Sequence, residues 1–317
     1  VLGGAVGAGR NGLRAVPTGF SPLDRHLGGG LRAGELLLLG GAQGLGKTTW
    51  ALQLARQVAE TGAGRVLFVC FEHDRGFLLE RLIAMESALG GDPDPLDVGE
   101  LRRFLATQSP GPGEGLDDLL ARLDRAQPAL ERIRAYQQRL FLVRAGARTT
   151  VAAIGELARA CPGDGPLVVV VDYLQKVAAE PVPADDDRAV GQVVEGLKEL
   201  ALTEAARVVA VVTAGTEGLE AQRMRIHHLR GGATLAYEAD AVLLLNDKYR
   251  VVARHHVVYQ PQVAEGFHDW VVGSLEKNRG GLAGVDLEWR ARFGYACFDP
   301  EGRVVEQRLV DDRLYLA

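Results

Sequence analysis

Residues Gly41-Ala-Gln-Gly-Leu-Gly-Lys-Thr48 spell a complete G-x-x-x-x-G-K-T phosphate loop. Its chemistry is electrostatic. Gly41, Gly44 and Gly46 let consecutive backbone N–H groups curl around an anion, and the positive end of the following helix strengthens the attraction. Lys47 would hold the β- and γ-phosphates and the Thr48 hydroxyl would ligate Mg2+, with Thr49 beside them in the nucleotide-binding set. The predicted ligands are therefore ATP and Mg2+. Two carboxylates complete the set. Leu167-Val-Val-Val-Val-Asp172 is an apolar run ending in an aspartate, and Asp172 at the tip of a buried strand would hold the metal shell with Thr48. Val66-Leu-Phe-Val-Cys-Phe-Glu72 is a second such run, and Glu72 at its end can polarise the water that attacks the γ-phosphate. His73, next in the chain, reads as a neighbour rather than a metal ligand.

Two basic segments lie further on. Lys277-Asn-Arg279-Gly-Gly281 puts cations on a glycine-rich turn that suits a phosphate, although the spacing does not say whose. Arg223, Arg225, His227, His228 and Arg230 alternate into Gly231-Gly232, and positive charge on such a loop suits a nucleic-acid backbone. For both segments a plain solvated loop is the competing interpretation.

These residues need elements to position them. Apolar runs at Leu36–Leu39, Val66–Phe71, Leu140–Val143, Leu167–Val171, Val208–Val212 and Ala241–Leu245 are apolar throughout rather than alternating, as parallel strands covered on both faces require. A helix is predicted over Thr48–Glu60, with Ala51, Leu54, Ala55 and Val58 on one face. Val190, Val193, Val194, Leu197 and Ala201 mark a face of another. The pattern predicts an α/β fold, a mostly parallel sheet with helices on both sides. Residues 1–15 read as a flexible lead-in. The stretch from about 90 to 115 reads as an insertion with one short helix around Leu101 to Ala106. Residues 249–260 and 268–276 look like strands of a C-terminal antiparallel extension. The rest, 16–317, is expected to form one domain.

Composition narrows the class without deciding it. Of 317 residues, 47% are hydrophobic and 24% charged, ordinary for a soluble globular chain. No apolar run is long enough to cross a bilayer and no signal-peptide pattern opens the chain, so no membrane partner is expected. Three cysteines without metal-ligand spacing fit a reducing cytoplasm. The net charge of −5 argues against a surface that is basic overall, yet a local basic stripe suffices for nucleic acid.

Taken together, the motifs resemble the RecA-like motor domain of DnaB-family replicative helicases, from about Val16 to Asp299. Pro17-Thr-Gly-Phe-Ser-Pro-Leu-Asp24 is similar to that family's segment ahead of the phosphate loop. Phe71-Glu72 is similar to its catalytic strand end, and Asp172-Tyr-Leu-Gln175 to its Walker B signature. Leu229-Arg230-Gly-Gly followed by Glu238-Ala-Asp240 resembles its pore loop, and Lys277-x-Arg279-x-Gly281 the segment that reaches the neighbouring subunit's ATP site. The resemblance implies that Arg279, with Lys277 beside it, acts in trans as an arginine finger. It also implies a homo-oligomeric ring, a hexamer in that family, with single-stranded DNA held by Arg230, Gly231 and Gly232, and a loader or other protein partner. Three departures stand out. Val212-Thr213-Ala214 occupies the place of a Ser-Gln sensor, Asp185-Asp-Asp187 would repel a DNA backbone if its loop faces the pore, and the fifteen residues ahead of Val16 are too few for that family's amino-terminal domain, so the expected match is to the motor. Leu27-Gly-Gly-Gly30 is closer to the KaiC and RadA branch. The alternative is thus a non-unwinding RecA- or KaiC-like ATPase whose nucleotide state controls assembly or partner binding.

Overall fold

The computed structural model describes residues 14–111, 113–183, 185–252 and 261–310. Most of the predicted lead-in, and residues 253–260 of the predicted extension, lie outside the described residues. In chain order the strands are β1 (Leu36–Gly41), β2 (Arg65–Cys70), β3 (Leu140–Arg144), β4 (Leu167–Asp172), β5 (Arg207–Thr213) and β6 (Ala241–Asp247). After them come β7 (Trp270–Asn278), β8 (Val285–Arg292), β9 (Cys297–Phe298) and β10 (Arg303–Val304). Each of the six apolar runs becomes a strand within one or two residues of its expected ends. They form one sheet in the order β10-β8-β7-β6-β1-β5-β4-β2-β3, with β9 pairing β8. The segment from β6 to β3 is parallel and the flank beyond β6 antiparallel.

Burial on both faces explains the continuous apolar runs. Leu37 and Leu39 of β1 enter one core, whereas Leu36 and Leu38 enter the other. The helices are α1 (Ser21–His26), α2 (Lys47–Glu60), α3 (Arg75–Leu89), α4 (Val98–Thr107), α5 (Leu116–Leu120), α6 (Gln127–Tyr136) and α7 (Val151–Ala160). They continue with α8 (Asp186–Thr203), α9 (Thr216–Glu220), α10 (Gly232–Glu238), α11 (Lys248–Val251) and α12 (Pro261–Glu265). Helices α2 and α3 contribute to the first core, and α7 and α8 to the second. The Pro17–Asp24 segment is closed by its own chemistry. Asp24 Oδ1 accepts hydrogen bonds from the Thr18 N–H and hydroxyl, both at 2.7 Å, and Phe20 stacks on Trp50 at 4.5 Å.

The helix expected around Leu101 to Ala106 forms over Val98–Thr107, and its start is fixed by a reciprocal capping box of Asp97 and Glu100. The packed helices also continue past residue 115 to Tyr136, around a small core containing Ile83, Leu101, Leu120 and Leu130. The predicted strand at 249–260 begins instead as helix α11, where the Asp247 side chain accepts from the Arg250 N–H. That cap offers the backbone an alternative to a sheet ladder.

A buried ionic cluster fastens the inserted helices to the core. Glu86 on α3 takes Arg56 of α2 in a forked pair at 2.6 and 2.8 Å, and the Tyr136 hydroxyl donates to it at 2.7 Å. Removing one partner of such a cluster leaves an uncompensated buried charge. Glu86→Ala is therefore expected to cost about 3–5 kcal/mol of stability. Urea unfolding checks this, and a loss below about 1 kcal/mol, the scale of an exposed pair, would refute it.

Candidate functional site

The loop from Gly41 to Gly46 joins β1 to α2. Gly44 and Gly46 have φ of +84° and +78°, a left-handed conformation open to glycine. A Cβ on Gly46 would also come within 2.6 Å of the Phe293 ring. The residue type is thus fixed twice there, by backbone and by packing.

Register brings the remaining groups to the same end of the sheet. Gly41 on β1 pairs with Thr213 on β5, and Asp172 on β4 pairs with Cys70 on β2, two residues before Glu72. Four neighbouring strands thus deliver Gly41, Thr213, Asp172 and Glu72 to one rim. They surround a cavity of about 630 Å3, also lined by Lys47 and Thr48, of a size that takes a small ligand.

Lys47 folds back over the loop, its Nζ donating to the carbonyls of Gly41 at 2.8 Å and Ala42 at 2.9 Å. Burial lowers its pKa, while the nearby carboxylates Asp172 and Glu72 oppose that shift. Asp172 is almost fully buried. Its burial pushes the carboxyl up to about 6, against a lowering hydrogen bond from Thr48, and its Oδ2 has no protein partner. A buried, half-satisfied carboxylate beside a hydroxyl has the donor set of a hard cation site, so Thr48 and Asp172 fit Mg2+. Thr49 is buried, with its hydroxyl 3.4 Å from Arg81. Glu72 stands exposed at the rim, suited to meet water.

The basic segment divides. Arg223 is buried, donating to Asp286 at 2.6 Å and Ser274 at 3.2 Å, and Arg225 pairs with Glu276 at 2.6 Å. Both stitch the chain after β5 onto β7 and β8, which removes them from the predicted nucleic-acid surface. Gly231 is also inward. A Cβ there would meet Val190 at 2.4 Å, so that glycine permits close packing on α8. Arg230 and Gly232 remain exposed. Arg230 pairs with Asp186, at 2.7 Å, so the acidic run meets this loop rather than standing apart.

Lys277 and Arg279 lie elsewhere. Arg279 pairs with Asp240 at 3.2 Å, and Asp240 accepts from the N–H of Leu36, the first residue of β1. Gly41 ends that strand, so Arg279 sits about five residues, roughly 17 Å, from its own phosphate loop. Lys277 Nζ donates to the Ala236 and Tyr237 carbonyls. Arg81, Tyr173 and Phe293 also line the cavity wall. Tyr173 follows Asp172 directly, whereas no spacing signals Arg81 and Phe293, whose chain segments converge only in the folded sheet. The exposed Phe293 ring beside Gly46 is a surface on which a nucleobase can stack.

A parallel sheet carrying a phosphate loop after β1, with carboxylates at the ends of β4 and β2, defines a RecA-like P-loop NTPase. A model of the DnaB-like helicase C-terminal domain matches residues 15–295. The chain belongs to that family. It is 26% identical over 290 residues to the replicative DNA helicase DnaB of Treponema pallidum, covering 91% of this chain and 57% of the relative. It is 32% identical over 142 residues to the DNA repair protein RadA of Synechocystis, covering 44% of this chain and 28% of that protein. The chain thus spans a little over half of the first relative and under a third of the second. The ATPase domain of G40P shares the fold, with a TM-score of 0.72 and 18% identity over 94% of this chain and 95% of that one. Among the described residues no helix is long and apolar enough to cross a membrane.

Proposed function

We propose that this chain is the ATP-hydrolysing motor of a cytoplasmic ring that translocates along single-stranded DNA, as a DnaB-type helicase. The observation that carries this is the division of charged groups between the two ends of one sheet. The phosphate loop, Asp172 and Glu72 share one rim, whereas Arg279 and Lys277 stand at the opposite end of the strands. Cations so far from their own loop suit a neighbouring subunit's phosphates, and a closed ring gives every site such a neighbour.

In this reading the N–H groups of residues 44–48 and Lys47 hold the triphosphate. Thr48 and Asp172 hold Mg2+, which when bound would draw charge from the β- and γ-phosphate oxygens. Glu72 polarises the water aimed at the γ-phosphorus and takes up its proton. Arg279, with Lys277, meets the negative charge that develops as the bond to ADP breaks.

The exposed Arg230-Gly-Gly232 loop is the proposed contact to DNA phosphates. Single-stranded DNA is expected to raise ATP turnover, and DNA affinity to fall steeply with salt. Arg230→Ala should weaken the DNA complex and flatten its salt dependence, by about 0.7 in log–log slope for each phosphate that is no longer neutralised. A filter-binding salt titration measures this, and an unchanged slope would remove Arg230 from the interface. The Arg230–Asp186 pair favours a second reading, a nucleotide-controlled assembly protein that does not translocate. A ring with ATPase activity indifferent to DNA at every salt concentration would select it.

A further inference from the structure

The Arg230 loop does not merely lie near the nucleotide cavity. The Thr213 carbonyl accepts from the Arg230 N–H at 3.0 Å, and the Gly215 N–H donates to the His228 carbonyl at 2.8 Å. Ala214 and Leu229 form an antiparallel bridge between these bonds. Thr213 and Ala214 line the nucleotide cavity. The end of β5 is therefore zipped along the loop by backbone alone.

One side chain locks this zip to the neighbouring strand end. Gln175 lies three residues beyond Asp172, in the turn that leaves β4. Its Oε1 accepts from the Thr213 N–H at 3.2 Å, and its Nε2 donates to the Arg230 carbonyl at 2.9 Å. Neither Thr213 nor Ala214 has a side-chain amide, so the amide at this junction comes from the turn after β4. Gln175 does not line the nucleotide cavity. It borders a separate space of about 70 Å3 shared with Leu174, Asp186, Val190 and Arg230. That space lets the loop shift without compressing a close-packed core.

We infer that Gln175 is a positioning residue that couples nucleotide state to the Arg230 loop, by tying the metal-binding end of β4 and the cavity-lining end of β5 to the loop's main chain. The inference rests on the nucleotide and DNA roles proposed above. A change at Asp172 on loss of the γ-phosphate reaches Thr213 and Arg230 through two hydrogen bonds from one amide. Without it, β5 and the loop still pair, but the β4 end no longer moves with them.

Amide hydrogen exchange on the full chain, with a slowly hydrolysed ATP analogue and then with ADP, tests this. In the natural sequence the Arg230 and Gly215 amides are expected to exchange at rates differing between nucleotides by about tenfold, within the usual range of site-to-site coupling. Gln175→Met keeps the volume and removes both hydrogen bonds. It should reduce that difference to about twofold or less while the phosphate-loop amides still respond to nucleotide, a split that loss of packing would not produce. Gln175→Glu keeps the acceptor for Thr213 but loses the donor to Arg230, and should uncouple the loop as well. A full nucleotide response in either variant, or none in the natural sequence, overturns the inference. ATP turnover with and without single-stranded DNA separates the two ideas. Loop amides that respond to nucleotide in a protein indifferent to DNA would uphold the coupling and sink the DNA reading. Stimulation by DNA that persists undiminished in Gln175→Met would sink the coupling alone.

Discussion

Glu72→Gln is expected to slow ATP hydrolysis by about 10²–10⁴-fold, the range for losing a positioned general base. Nucleotide binding should survive. The cradle is made by the loop's backbone and Lys47, and Glu72 stands at the rim without a bond to either. The substitution keeps the shape of the side chain and removes its charge, so a loss of rate reads the chemistry rather than the fold. Glu72 and Asp172 are the two acidic side chains on the cavity wall. Asp172 is buried with a hydrogen bond from Thr48; in the proposed reading it holds the metal, which leaves Glu72 to act on water. Single-turnover hydrolysis measures the chemical step and fluorescent-analogue titration measures affinity. A rate within about fivefold of the natural enzyme would assign the base elsewhere.

Arg279→Ala should cost still more, about 10³–10⁵-fold, if the guanidinium serves the neighbouring site as an arginine finger. The decisive experiment mixes it with Lys47→Ala, each inactive alone. In a mixed ring, an Arg279→Ala subunit keeps a sound phosphate loop and can receive Arg279 from a Lys47→Ala neighbour. Random mixing at equal amounts leaves about one quarter of the sites with both parts, so two inactive proteins should together regain activity. Rings shown by mass to be mixed yet inactive at every ratio would exclude the trans role. In the single chain Arg279 is held by Asp240 and by the Tyr237 carbonyl at 2.5 Å. In the proposed trans role Arg279 would exchange these bonds for the neighbouring site's phosphate.

The elements closest to the chemistry are also the most legible from sequence. The phosphate loop depends on glycines, a lysine and a threonine within eight consecutive positions, and its strand and helix are marked by local periodicity. Asp172 and Glu72 could be placed because an apolar run ending in a carboxylate puts that carboxylate at the strand tip. Arg223 and Arg225 were misleading for the opposite reason. Their partners, Asp286 and Glu276, lie on β8 and β7, 63 and 51 positions away. In sequence each is a cation among cations; in the fold each neutralises a carboxylate inside the antiparallel flank. The Gln175 amide is a similar case, since its two partners come from β5 and from the loop after it. Helix α11 escaped because the Asp247 cap sets a helical turn over Lys248–Val251, where the residue types alone suggest a strand.

By itself the sequence determined that the chain makes a doubly covered parallel sheet with a phosphate loop after its first strand, since those features follow from local pattern and residue type. Only the tertiary structure decided which cations face outward, that the Arg230 loop is zipped to the nucleotide rim, and that Arg279 stands at the far end of the strands. Those outcomes depend on strand order and register, which bring together residues dozens to hundreds of positions apart and which no local spacing encodes.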